Sequence, residues 1–157
     1  MARRTGRRGI ALAIAIGCVL GAGMPASAQG DGFARLVTVR EYVRRGVDRM
    51  EAGDARGALP FFDRALKLNP KGAEIYVQRG YARAQLRDYK GAIADQSEAL
   101  RLKPTLAEAF ANRGTSRYRL GDRKGAREDW QKAQALFRAQ GDAAKANEIA
   151  QVIANFR

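Results

Sequence analysis

The side chains able to do chemistry recur at one interval. Arg45, Arg79 and Arg113 are spaced by 34 residues, and so are Arg49, Arg83 and Arg117. Asp54, Asp88 and Asp122 keep the same interval, as do Asp95 and Asp129. A group that returns once per unit serves every unit alike, whereas catalysis needs an asymmetric constellation. Histidine is absent and the one cysteine, Cys18, lies near the start of the chain, so the commonest general base and metal ligand are missing. No phosphate loop and no metal-ligand cluster is present. The reading is no enzyme, no cofactor and no metal. The chemistry left is charge pairing and helix capping. Arg79 with Asp95, and Arg113 with Asp129, are expected to form ion pairs; Phe61 takes the acid's place for Arg45.

Elements that hold these groups follow from the same interval. Shifted by 34, Gly46, Gly80 and Gly114 coincide, as do Ala58, Ala92 and Ala126, and Ala65, Ala99 and Ala133. Gly53-Asp54, Arg87-Asp88 and Gly121-Asp122 coincide with one departure, Arg87. Pro70 and Pro104 coincide, and Arg138 stands where a third proline would. Apolar residues fall at helical spacing, as in Ala58, Phe61, Phe62, Ala65 and Leu66. Each unit therefore reads as helix, turn, helix. Asp54, Asp88 and Asp122 suit the start of each second helix, and proline ends it. The expected helices are 39–52, 55–68, 73–86, 89–102, 107–120 and 123–137. A seventh follows the turn Gly141-Asp142, with Ala146, Ile149, Ala150, Ile153 and Phe156 on one side; a cap for the last apolar face is what it suits.

These positions resemble the tetratricopeptide repeat family over residues 39–140. Its pattern of a large residue at position 4 fits Tyr42, Tyr76 and Phe110, with Gly at 8, Ala at 20 and 27, and Pro at 32 as above. Position 24 is Phe62, Gln96 and Trp130, so the middle unit departs there. The resemblance implies an all-α right-handed superhelix, an α-solenoid of three helix-turn-helix repeats (39–72, 73–106 and 107–140) plus a C-terminal capping helix (141–157). It also implies a concave groove lined by the first helix of each repeat. In that groove the candidate partner-binding residues are Arg40, Arg44, Val77, Tyr81, Asn112 and Tyr118. Some relatives grip a C-terminal carboxylate with Lys and Asn at positions 5 and 9 of the first repeat. Val43 and Val47 stand there, so that function is disfavoured, and Asn112 alone fits the clamp.

Residues 1–28 read as a secretory signal peptide. Arg3, Arg4, Arg7 and Arg8 precede an apolar run over residues 10–23, then Pro25 and the small-residue site Ala26-Ser27-Ala28. The run is short for a membrane span, which takes about 20 residues. Cleavage after Ala28 would place the protein in the periplasm or outside the cell, with residues 29–38 as a flexible lead. An uncleaved signal would serve as an anchor. Net charge is +13, four of it in the first eight residues, which leaves +9 after residue 28. Such charge favours acidic partners or surfaces. The arginines recur on all faces among 16 acids, which does not make the basic track that nucleic acid wants. The expected function is a non-enzymatic scaffold that binds a partner polypeptide through the groove. The alternative is a structural or assembly subunit, docked or dimerised through its C-terminal helix; a homo-oligomer is compatible with either.

Overall fold

The computed structural model describes residues 26–156, and the leader assignment to residues 1–28 lies outside them but for its last three. Seven helices follow in order: α1 (Ala26–Glu51), α2 (Ala55–Leu68), α3 (Ala73–Gln85), α4 (Tyr89–Leu102), α5 (Ala107–Arg119), α6 (Arg123–Ala139) and α7 (Ala143–Ala154). Among the described residues there is no strand, and no helix is long and apolar enough to cross a membrane. Each helix packs on the next, α1 on α2 through α6 on α7, and α3 also touches α5. That is the contact pattern of a solenoid, in which a repeat meets only its neighbours.

Local chemistry sets the boundaries. Asp54, Asp88 and Asp122 each accept a hydrogen bond from the backbone N–H three residues on, at 2.8, 2.9 and 2.9 Å. Those N–H groups have no partner inside the helix, and losing such a cap costs about 1 kcal/mol. Pro70 and Pro104 sit just beyond α2 and α4. Arg138 lets α6 run 17 residues where α2 and α4 have 14, until Gly141 turns the chain at φ +79° and Asp142 caps α7.

One expectation is corrected. Residues 29–38, read as a flexible lead, are helical and continuous with α1. No proline interrupts them, and lengthening a helix that already exists needs no new nucleus. Gly30 and Gly32 weaken this stretch without stopping it.

The core forms three clusters, one at each junction. Phe62, Leu66 and Ile75 lead the first, Val77 and Leu100 the second, and Phe137 with Ala146 the third. Tyr76 packs on the first two and Phe110 on the last two, so the large residue at position 4 links neighbouring clusters. Inside each repeat the two helices touch at a glycine. A Cβ on Gly46 would lie 2.5 Å from the Phe62 ring, on Gly114 2.8 Å from the Trp130 indole, and on Gly80 2.6 Å from the Gln96 amide. On Gly80 it would also meet the Ala92 carbonyl at 3.2 Å, backbone that cannot step aside.

Gly80→Leu is therefore expected to abolish the cooperative transition and most of the helical circular dichroism signal. Arg87 is the reverse case. It holds φ +62° where Gly53 and Gly121 sit at +77° and +87°. That left-handed conformation strains a side-chain-bearing residue by about 1 kcal/mol or more. Arg87→Gly is expected to stabilise the fold by about 1 kcal/mol, read as a higher denaturant midpoint at unchanged slope.

Candidate protein-binding groove

The groove is held in shape by buried charge. Asp95 is 3% exposed and takes a two-pronged hydrogen bond from Arg79, Nε to Oδ2 at 3.0 Å and Nη2 to Oδ1 at 2.6 Å. Arg83 adds a third donor to the same carboxylate at 2.9 Å. Asp129, 1% exposed, repeats the arrangement with Arg113 at 2.9 and 2.8 Å and Arg117 at 2.9 Å. The pairing expected from spacing is thus present, with a second arginine that spacing did not reveal.

Each position-7 arginine also reaches backwards. Arg79 donates to Asp63 of the first repeat at 2.7 Å, and Arg113 to Ser97 of the second at 3.2 Å. One guanidinium therefore ties two helices of its own repeat and the last helix of the repeat before. Burial alone would pull the Arg79 proton affinity down; hydrogen bonds to Asp95 and Asp63 outweigh it and hold the group further above its ordinary range. Arg79 and Arg113 also lie over the Tyr76 and Phe110 rings, at 5.5 and 5.4 Å. Arg45, with Phe61 opposite, turns to Glu41 at 2.9 Å and stays half exposed.

Against this frame lie three pockets joined end to end. The first, about 340 Å³, is bounded by Val77, Gln78 and Tyr81 of α3, Ala111 and Asn112 of α5, Phe137 of α6, and Lys145 and Ile149 of α7. Tyr81 and Asn112 also line the second, about 770 Å³, which runs on to Thr115 and Arg119. Thr115 and Arg119 in turn line the third, about 370 Å³, with Tyr118, Trp130, Val152 and Phe156. The outcome is one groove, mainly apolar in its first pocket and mainly polar in its second, a form that can take an extended or helical segment.

Four of the six residues expected at the site meet here: Val77, Tyr81, Asn112 and Tyr118. Val77 is only 4% exposed and belongs mainly to the core, with Ala99, Leu100 and Ala109. Arg40 and Arg44 lie apart, in a pocket with Val39, Val43 and Ile75. Arg44 is engaged with Glu41 at 2.9 Å and Asp48 at 3.0 Å. The contribution of α7 was not foreseen. Lys145 crosses to Glu108 of α5 at 2.8 Å, which keeps its ammonium protonated above the ordinary lysine range. Phe156 meets Tyr118 and Trp130 edge-on, at 5.5 and 5.3 Å between centroids. Gln96, where the neighbouring repeats carry an aromatic, is fully buried, and its Nε2 donates to the Val77 carbonyl at 3.1 Å. Its Oε1 has no partner.

Residues 73–106 match the family model described as tetratricopeptide repeat. Among curated proteins none matches the chain. Solved structures do. The TPR2B domain of yeast Sti1, in a complex with pHsp70, is 23% identical with a TM-score of 0.72, over 75% of this chain and 94% of that one. The second TPR of Spaghetti (RPAP3), bound to the HSP90 peptide SRMEEVD, is 25% identical with a TM-score of 0.63, over 66% and 97%. PcrH in complex with the chaperone-binding region of PopD is 22% identical with a TM-score of 0.71, over 74% and 89%. The unit at residues 73–106 is a tetratricopeptide repeat. The chain as a whole folds as an all-α tetratricopeptide-repeat solenoid.

Asp95→Ala strands two guanidinium groups beside a cavity and is expected to cost about 3 kcal/mol. An Arg79/Asp95 double-mutant cycle by denaturant titration should show coupling above about 1 kcal/mol.

Proposed function

We propose that this chain is an exported, non-enzymatic scaffold that holds a segment of a partner polypeptide in the groove between α3, α5 and α7. The observation that carries the reading is the continuity of the three pockets through Tyr81, Asn112, Thr115 and Arg119. Tyr81 and Tyr118 are among the most exposed large apolar side chains, and both point their area into that groove. Exposed aromatic rings in a concave site are the usual anchors of a protein contact. Structures of like fold hold a peptide or a region of another protein, which supports the same use here.

Docking through α7 as an assembly subunit has less behind it. Ala146 of α7 is buried and Ile149 packs with Phe137, so most of its apolar side is already engaged within the chain. Export rests on the leader pattern in residues 1–28.

Two measurements test the reading. Capture of partners from a periplasmic extract should fall about tenfold or more with Tyr81→Ala, while the variant's melting curve stays close to that of the parent. Partner capture that ignores Tyr81 and Asn112 replacements rejects the groove. The intact mass of the exported protein should correspond to a chain starting at Gln29; a mass that retains residues 1–28 rejects cleavage.

A further inference from the structure

The large apolar side chains left most exposed are Tyr81, Leu86, Tyr118, Leu120 and Val152. Tyr81, Tyr118 and Val152 line the groove. Leu86 and Leu120, 37% and 47% exposed, do not. Both close a first helix, α3 and α5, immediately before the turn into the second. Translation from repeat to repeat sets these turns in a row along one edge of the solenoid.

That edge also carries a periodic row of cations without an acid partner. Arg56, Lys90 and Lys124 are each the second residue of α2, α4 and α6, and all are exposed. Among the described residues none of them has an ion-pair partner, and neither do Arg87 and Arg119 in the same turns. A cation in the first turn of a helix works against the helix dipole, so capping does not explain the row. The acids of these turns are occupied. Asp54, Asp88 and Asp122 cap their helices and face Arg49, Arg83 and Arg117 at 3.1, 4.0 and 3.8 Å. Glu51 is the one further acid in the row. On the opposite edge Lys103 is bound to Glu74 at 2.8 Å and Lys145 to Glu108 at 2.8 Å, while Lys71 stands alone there rather than in a row.

Arg87 adds an independent observation. It occupies a left-handed backbone position that the equivalent turns give to glycine. The strain it keeps has no return inside the fold, since its side chain touches no acid. Strain that persists without a structural return points to function.

We propose that this edge is a docking surface for an anionic lipid bilayer. Leu86 and Leu120 enter the headgroup region at the turn tips, and Arg56, Lys90 and Lys124 meet lipid phosphates around them, with Arg87 and Arg119 at the border shared with the groove. This mode lies on the membrane and needs no spanning helix. Arg56, Lys90 and Lys124 line none of the three groove pockets, so the failure of this row and that of the groove are separate results.

The experiment is co-sedimentation of the full chain with vesicles of phosphatidylcholine alone and of phosphatidylcholine with phosphatidylglycerol at 7:3. Because residues 10–23 are apolar, each variant is compared with the parent chain on the same vesicles. Each basic side chain near an anionic surface contributes roughly fivefold, so Arg56→Gln/Lys90→Gln/Lys124→Gln should lose on the order of a hundredfold on the anionic vesicles. A control of equal charge, Lys67→Gln/Lys71→Gln/Arg138→Gln, should stay within about twofold. Arg87→Gly separates folding from docking: it should be more stable than the parent and bind about fivefold less. Leu86→Ser/Leu120→Ser should weaken binding with the salt dependence retained. The proposal is overturned if the edge and control triples lose equally, or if neither loses. It is overturned equally if Arg87→Gly binds like the parent, or if the edge row is needed for an acidic protein and not for vesicles.

Discussion

Each repeat depends on one close approach. Gly46, Gly80 and Gly114 present bare backbone to the helix opposite, and a methyl group there would already overlap Phe62, Gln96 or Trp130. The alanines at the matching positions of α2, α4 and α6 are fully buried, so the second helix is as slim as the first along the line of contact. Interiors pack at crystal-like density, and a side chain inserted there has nowhere to go but between the helices. Everything further out follows: the spacing of the helices, the meeting of the position-4 rings between clusters, and the curvature that gives the chain a concave side.

Charge then sets how one repeat sits on the next. A carboxylate buried as deeply as Asp95 or Asp129 is tolerable only with full hydrogen bonding, and two arginines supply it. The geometry of a guanidinium fork is rigid, so the third N–H of Arg79 or Arg113 points in a fixed direction, at the preceding repeat. The first repeat has no predecessor to meet within the described residues, and it carries Phe61 in place of the acid. Gln96 stands outside this economy of means. It is buried, half satisfied, and smaller than the rings that fill the same place on either side.

How far the sequence could be read depended on how local each feature is. Glycines in contact, aspartates at caps and prolines past helix ends act within a few residues, so the period of 34 exposed them and the helices they bound. The ion pairs within a repeat were also legible, because both partners keep the same interval. The reach of Arg79 to Asp63 and of Arg113 to Ser97 was not, since it arises only when repeats stack, and Asp63 and Ser97 differ in type. The part of α7 in the groove was hidden for the same reason: Lys145 meets Glu108 across two helices. The helical start of α1 was missed because nothing local marks a beginning there. Absence of a stop signal is weaker evidence than its presence. Tyr81 and Asn112 keep the register that lines the joined pockets, while Arg44 lies apart, engaged by Glu41 and Asp48.

The position of α7 has a further consequence. Among the described helices α7 packs on α6 and is also a wall of the groove, through Lys145 and Ile149, while Phe156 beyond it closes on Tyr118 and Trp130. Whatever loosens α7 also opens the groove, so occupancy and the local stability of this helix draw on a single equilibrium. A guest in the groove adds contacts to α7, and hydrogen exchange there becomes a reporter of occupancy.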